Sequence, residues 1–182
     1  MKTNIFTVVI LIATLFTGCK DNKSLDSLEV VNPEVKVDDT FKVTINALVK
    51  KNDSFSLYYS LDGTTDFKIE PLWLEFKGSE TAQDIVFELP NEVIPTQIRL
   101  DFGLSKDQEP IVINYFKMNY LNNEFKIPGN QFGMYFNPDP TKTIFDYNTA
   151  TVTAVVKDGI RQSPSFYPHI KPLGDEIKKL MK

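Results

Sequence analysis

The sequence predicts an all-β protein, an antiparallel β-sandwich of the jelly-roll type with a short C-terminal helix. Apolar and polar residues alternate over short runs, which is the period of a strand with one buried face. Eleven Pro and eight Gly separate those runs. Only five Ala are present, and β-branched and aromatic residues take the place of good helix formers. Short strands at regular spacing favour a sandwich over alternating β and α units.

The alternation predicts ten strands in one domain over residues 28–182. Asp62-Gly63 and Asn122-Asn123 are typical of tight turns between them. The predicted strands cover residues 41–47, 55–59, 72–76, 85–89, 98–102, 111–120, 124–127, 132–136, 143–147 and 151–156.

The run 98–102 has the clearest alternation. Ile98, Leu100 and Phe102 should face the core, so Arg99 and Asp101 should face solvent or a second polar layer. We expect Leu100→Ala to cost about 2–5 kcal/mol of stability and Arg99→Ala to cost little.

The only helical pattern lies near residues 173–181. Four apolar residues share one face of it: Leu173, Ile177, Leu180 and Met181. Asp175 and Glu176 should then lie in the first turn, where carboxylates complement the helix dipole, with lysines in the last turn.

The N-terminus is typical of a secretory signal peptide over residues 1–18. Lys2 supplies the positive charge, and the apolar run 5–16 has the length of a signal core. A helix over that run spans about 18 Å, too little for a bilayer core of about 30 Å. Residues 19–27 should form a polar linker before the domain.

The run Leu15-Phe16-Thr17-Gly18-Cys19 resembles the lipobox of bacterial lipoproteins, with Phe16 where that family usually has an aliphatic residue. The resemblance implies cleavage before Cys19 and acylation of Cys19, which would anchor the chain in the membrane. Two or three acyl chains hold a protein there firmly. The alternative is a secreted protein with one unpaired Cys.

The resemblance implies a cell-envelope location, which we expect to be the outer membrane. Lys20-Asp21 resembles the Lys-plus-acidic signal that sends some lipoproteins to the cell surface. Asp21 by itself resembles an inner-membrane retention signal of enteric bacteria. A third interpretation is that Lys20 and Asp21 belong to a plain polar tether, which fits the sequence equally well.

Composition excludes several function classes. The net charge of −4 lacks the basic surplus of nucleic-acid binders. One His and one Cys exclude most zinc sites and any disulfide within the chain.

His169 lies in a Pro-rich aromatic stretch without a nucleophile motif, so we expect a packing role for it and no enzymatic activity of the protein. With 24 acidic residues, some carboxylates will lie in pairs by chance, and we expect such pairs to be solvated surface groups and not catalytic ones.

We expect no cofactor, with structural calcium as the one open possibility. Asp38, Asp39 and Asp62 carry oxygen ligands of the kind that calcium prefers. Carboxylates in polar turns are the alternative interpretation of all three residues.

The aromatic residues suggest a binding surface. Trp73 alternates with Leu72 and Leu74, so it should point away from the core together with Glu75. Sugar C–H faces stack on aromatic rings, and carboxylates accept hydrogen bonds from sugar hydroxyls. The alternative is that Trp73 packs under a loop. Further tyrosines are secondary candidates: Tyr147, Tyr167, Tyr58 and Tyr135.

The runs Ile98-Arg99-Leu100-Asp101-Phe102-Gly103 and Ile111-Val112-Ile113 resemble the paired strands of galactose-binding-like jelly rolls. Many carbohydrate-binding modules share that fold and bind through variable loops, so the resemblance implies a fold and assigns no binding residue. The function predicted is a non-catalytic lipoprotein that binds carbohydrate at the envelope. The alternative is a structural or protein-interaction lipoprotein, because sandwich edges accept partner strands.

Overall fold

The computed structural model describes residues 38–182. The predicted signal peptide, Cys19, the predicted linker and the first residues of the predicted domain lie outside the described residues. Residues 38–182 lie in one compact unit, and every core residue and strand pairing named below lies within it.

Thirteen strands and one α-helix follow in chain order within the described residues. They are β1 (Lys42–Leu48), β2 (Asp53–Ser60), β3 (Leu72–Phe76), β4 (Gln83–Glu88), β5 (Gln97–Phe102), β6 (Ile111–Tyr120), β7 (Asn123–Pro128), β8 (Phe136–Pro138), β9 (Thr143–Asp146), β10 (Thr151–Ala154), β11 (Val156–Lys157), β12 (Ile160–Arg161), β13 (Ser165–Pro168) and α1 (Ile170–Leu180). All pairings between these strands are antiparallel, which confirms the predicted all-β sandwich.

Two sheets make up the sandwich. Sheet A has the order β4-β1-β6-β10-β9, and β7 also pairs with β6. Sheet B has the order β3-β2-β5-β13-β8. Strands β11 and β12 form a separate hairpin. Sheet B therefore has the two edge strands β3 and β8, and sheet A has three strands with a single partner, β4, β7 and β9. Sequence neighbours such as β3 and β4 belong to different sheets.

Aromatic rings fill the space between the sheets. Phe116 of sheet A lies 5.0 Å from Phe136 of sheet B, and Phe145 lies 5.4 Å from Phe166, measured between ring centroids. Edge-to-face packing of this kind stabilises a core beyond the burial of apolar area. The apolar residues that alternate along the strands in the sequence are therefore the ones buried between the two sheets.

The predicted strand over 132–136 is wrong at residues 132–135. A 3₁₀ helix covers Gly129–Met134, Tyr135 caps it, and the strand begins at Phe136. A Cβ on Gly129 would lie 1.8 Å from the carbonyl oxygen of Ile113, so the chain approaches β6 as only Gly permits. The tight turn stacks Phe132 on Phe136 at 4.5 Å. Tertiary packing of Phe132 therefore overrides its strand propensity.

The C-terminal helix begins at Ile170, earlier than the predicted start at residue 173. Pro172 is accommodated because N–H groups in the first turn have no partner within a helix. Asp175 and Glu176 therefore lie beyond the first turn. Leu173, Ile177 and Leu180 are buried as predicted, whereas Met181 is exposed after the helix ends.

Candidate functional site

The solvent side of sheet B, called here the outer face, carries the predicted ligand residues Trp73 and Glu75. Strand β3 pairs with β2 so that Trp73 lies opposite Ser56. Ser56 in turn lies opposite Asp101 of β5. Directly opposed residues of an antiparallel pair share one face. The register therefore places Trp73, Ser56 and Asp101 in one row across three strands.

Trp73 is half-exposed, with 50% of its surface accessible, while its neighbours Leu72 and Leu74 are partly buried against the core. Glu75 projects from the same side of β3 and accepts a hydrogen bond of 2.7 Å from Ser54 Oγ. The predicted orientation of this strand is therefore confirmed. An indole ring and a carboxylate are presented side by side to solvent.

An ion pair on the outer face joins Asp101 of the row just described to Arg99 of the next row, where Arg99 lies opposite Tyr58. Arg99 Nε donates to Asp101 Oδ1 at 2.9 Å, and Arg99 Nη2 donates to Asp101 Oδ2 at 2.7 Å. The guanidinium carbon lies 4.5 Å from the ring centroid of Tyr58 and 4.7 Å from that of Tyr167. This geometry combines a bidentate pair with two cation–π contacts. The second polar layer that the sequence allowed for Arg99 and Asp101 is present.

Burial and the contact between the two side chains act in opposite directions on the pKa values of this pair. The side chains of Arg99 and Asp101 are only 17% and 14% exposed. Burial raises the pKa of Asp101 above its ordinary value, and the hydrogen bonds and charge of Arg99 oppose that rise only in part. Burial by itself would lower the pKa of Arg99, but the hydrogen bonds and charge of Asp101 outweigh it, so that pKa is raised.

Phe67 is a member of the site that sequence reasoning missed. Its ring centroid lies 6.3 Å from that of Tyr58 and 6.4 Å from that of Tyr167. Phe67 belongs to the segment between β2 and β3, where no periodicity marks a facing direction. Only the folded chain shows that this segment covers the two tyrosines that flank Arg99.

Tyr147 and Tyr135 lie apart from the outer face. Tyr147 follows β9, an edge strand of sheet A, and its ring lies 5.0 Å from that of Phe145. Tyr135 lies 5.0 Å from Phe125 of β7. Of the predicted ligand residues, the structure therefore brings Trp73, Glu75 and Tyr167 to one face of sheet B and leaves Tyr147 in the turn after an edge strand of sheet A.

The remaining sequence candidates occupy structural positions. His169 is the N-cap of α1, and its backbone N–H donates to the Tyr135 carbonyl at 2.7 Å. Asp62 accepts from the backbone and hydroxyl of Thr64, as a turn carboxylate does. The hydrogen bond from Lys42 contributes most to lowering the pKa of Asp38 to about 2. Asp39 lies exposed beside it.

Within residues 38–182, no group of three or more His, Cys, Asp or Glu side chains is placed to hold a metal ion. The same part of the chain contains no helix with the length and apolar character needed to cross a membrane. Comparisons with protein-family models, with curated proteins and with solved structures found no match to this chain.

Proposed function

We propose that this chain is a membrane-anchored bacterial lipoprotein whose β-sandwich is a non-catalytic module that binds carbohydrate at the cell envelope. The resemblance of residues 15–19 to a lipobox supports the anchor at Cys19 and an outer-membrane location. The galactose-binding-like resemblance of residues 98–113 is consistent with the sandwich and supports the ligand class by analogy.

One observation carries the ligand class: Trp73 is half-exposed beside the Glu75 carboxylate on a sheet face. The indole offers a flat apolar surface for the C–H face of a sugar ring. Glu75 offers a charged acceptor for the hydroxyls at the rim of that ring. Both residues project from a strand, which holds their spacing more rigidly than a loop would.

The acids of the outer face support binding rather than catalysis. Glu75 is engaged by Ser54, and Asp101 is engaged twice by Arg99. A glycosidase requires one carboxyl group as a general acid and a second as a base or nucleophile at a defined separation. Acids held in this way serve as fixed acceptors and as supports for the aromatic residues.

A glycan array probed with residues 19–182, expressed without acylation, tests the proposal. We expect at least one glycan to bind at micromolar to millimolar affinity. Trp73→Ala should weaken that binding about 5- to 150-fold, from about 1–3 kcal/mol for one stacking contact, by analogy with stacked bases. Tyr147→Ala is the matched control, because Tyr147 is similarly exposed at 52% but lies in the turn after β9, away from sheet B. An array without binding, or equal losses in both variants, would contradict the proposal.

Anchoring has a separate test. Radiolabelled palmitate should enter the full-length protein in cells, and Cys19→Ala should abolish the label. An unlabelled, soluble wild-type protein would contradict the anchor. Added protease should degrade the protein on intact cells if it faces outward, whereas protection would place it in the periplasm.

A second candidate function, a protein-interaction lipoprotein, is favoured by one specific observation. Strands β3 and β4 are edges of sheets B and A, and a shallow groove of about 370 Å³ lies between them. The groove is lined by Leu72, Trp73, Leu74, Val86, Phe87 and Glu88. Edge strands accept an extended partner strand through unpaired backbone groups.

Photocrosslinking in cells separates the two functions. If the chain is a protein-interaction lipoprotein, a photoreactive residue in place of Val86, in the groove, should capture one specific envelope protein. The same residue in place of Ile144, on the far edge strand β9, should not. Specific capture at position 86 together with a silent glycan array would replace the carbohydrate proposal with the interaction proposal.

A further inference from the structure

A small pocket lies beside the hairpin that β11 and β12 form, and it is called here the hairpin pocket. It has a volume of about 290 Å³. It is lined by Lys106, Val156, Gly159, Ile160 and Arg161. This volume is just below the usual range for drug-sized ligands, so the pocket suits a smaller molecule.

The hairpin gives the pocket a fixed aliphatic wall. Asp158 and Gly159 form its two-residue turn, with φ angles of 52° and 75°. Positive φ at both central residues is typical of the type I′ turn, whose twist matches that of the strands it joins. Val156 and Ile160 are 64% and 62% exposed. Two branched aliphatic side chains therefore project from a rigid hairpin and are left largely uncovered by the described residues.

Arg161 brings a cation to the pocket that few protein groups engage. Within residues 38–182 its hydrogen bonds are long: Nη1 donates to the Gly103 carbonyl at 3.4 Å and to the Gln162 carbonyl at 3.5 Å. Nε is buried without a partner. Nη2 has no partner among the described residues either, but it is not buried. Nη2 is therefore the donor that a ligand can reach.

Asp53 is the acid whose charge acts on Arg161, but its oxygens are engaged elsewhere. Oδ1 accepts hydrogen bonds from the backbone N–H groups of Leu104 and Ser105, at 2.6 and 2.8 Å, and Oδ2 accepts one from Gln108 at 3.0 Å. Burial lowers the pKa of Arg161, and the charge of Asp53 opposes that effect only in part. The half-buried guanidinium therefore has no acid in contact with it in the described part of the chain.

Lys106 adds a second cation to the lining. It is exposed and, like Arg161, forms no ion pair within the described residues. Asp107 and Asp158 are the nearest acids along the chain, and neither lines the pocket. The hairpin pocket therefore combines two positive charges with an aliphatic wall and has no acid in its lining.

We propose that the hairpin pocket binds a small organic carboxylate, an anion with a short aliphatic body. The carboxylate accepts a charge-assisted hydrogen bond from Arg161 Nη2 and is attracted by the ammonium group of Lys106. The aliphatic body packs on Val156 and Ile160 and removes apolar surface from water, which an inorganic anion cannot do. The site shares no residue with the outer face and does not rest on the carbohydrate proposal.

Three small probes test the two parts of this recognition. 4-Methylpentanoate and 4-methylpentanamide have one shape and differ in the charged group, and acetate keeps the charge but lacks the aliphatic body. We expect 4-methylpentanoate to shift the backbone amide resonances of Gly159 and Ile160 in the unacylated chain of residues 19–182. At low salt it should bind about tenfold more tightly than its amide, the order that a hydrogen bond between charged groups supplies. Added salt should reduce that difference, and acetate should bind several-fold more weakly.

Charge variants identify the cations that hold the carboxylate. Arg161→Gln should remove the preference for 4-methylpentanoate over its amide. Lys106→Met changes an exposed side chain, which keeps the test independent of folding, and should weaken 4-methylpentanoate several-fold and leave the amide unchanged. Lys182→Met is the control, because Lys182 is also exposed and follows α1, which contacts Gln97 at the opposite end of β5 from Gly103. The control should bind both probes as the wild type does.

Apolar variants test the aliphatic wall. Ile160→Ala should weaken 4-methylpentanoate several-fold and leave acetate unchanged, whereas Ile170→Ala, 54% exposed on α1, should change neither. Absence of shifts at Gly159 and Ile160 would overturn the proposal. Equal affinity of the wild type for the carboxylate and its amide would overturn it too, and so would equal effects of Lys106→Met and Lys182→Met or of the two isoleucine variants.

Discussion

Arg99 donates two hydrogen bonds to Asp101, two residues along the same strand, while its guanidinium lies between the rings of Tyr58 and Tyr167. The two tyrosines belong to β2 and β13, the strands on either side of β5. A single arginine therefore links three strands on the outer face of sheet B. This arrangement makes Arg99 a structural residue of the second polar layer, so we now expect its removal to cost more than the alternation alone suggested.

Arg99→Ala should lower the free energy of unfolding by about 2–4 kcal/mol, because it leaves the Asp101 carboxylate buried without its partner. Lys171→Ala is the control, since it breaks an ion pair whose lysine is 84% exposed. That change should cost less than about 1 kcal/mol. Urea unfolding of both variants measures the difference, and similar small losses would show that the buried pair contributes little.

The pH dependence of stability should have opposite signs for Asp101 and Asp84. Burial raises the pKa of Asp101. Its contribution to stability is therefore complete below the ordinary value of 3.8 and is lost as the pH rises through the raised value. The hydrogen bond from Asn46 contributes most to lowering the pKa of Asp84. The contribution of Asp84 is present above 3.8 and is lost as the pH falls through the lowered value.

Urea unfolding between pH 3 and pH 7 tests these signs. The stability of the wild type relative to Asp101→Asn should fall as the pH rises. Its stability relative to Asp84→Asn should rise with pH near 3.8. Carboxyl resonances followed by NMR should place the Asp101 titration above that of Asp84, and the reverse order would contradict both assignments.

Leu100→Ala should lower the free energy of unfolding by about 2–5 kcal/mol, because Leu100 is buried between the sheets and its loss leaves a cavity. Leu104, just beyond the same strand, is exposed. Leu104→Ala should therefore change stability by less than about 0.5 kcal/mol. Comparable losses for the two leucines in thermal or urea unfolding would refute the assigned orientation of β5.

Gly129→Ala should lower the free energy of unfolding by about 4 kcal/mol or more, or prevent folding, because its Cβ would overlap the Ile113 carbonyl. Gly63→Ala is the control: Gly63 has a φ of +80° but open space around it. The control should lose only about 1–2 kcal/mol, the cost of a left-handed backbone. Circular dichroism and urea unfolding would report both, and a Gly129→Ala variant as stable as the control would contradict the close approach to β6.

Local alternation determined most of the strands of this protein and the side on which each residue lies. Trp73 and Glu75 point away from the core, as the period of two requires, and Leu72–Phe76 and Ile111–Tyr120 match the predicted runs residue for residue. These features depend on neighbours along the chain. A strand with one buried face must alternate whatever its partners are.

Tertiary structure alone decided which faces meet. Phe67 joins the Arg99 cluster from an irregular segment. Tyr147 follows a strand of sheet A whereas Trp73 lies on sheet B, although both are exposed aromatic residues. Phe132 lies in a 3₁₀ helix and not in the predicted strand, because this conformation stacks its ring on that of Phe136 in the core. Gln97 and Gly174, which pack closely against each other where α1 docks, are 77 residues apart in the chain. Strand order and helix docking bring such residues together through long-range packing, which leaves no periodic pattern in the sequence.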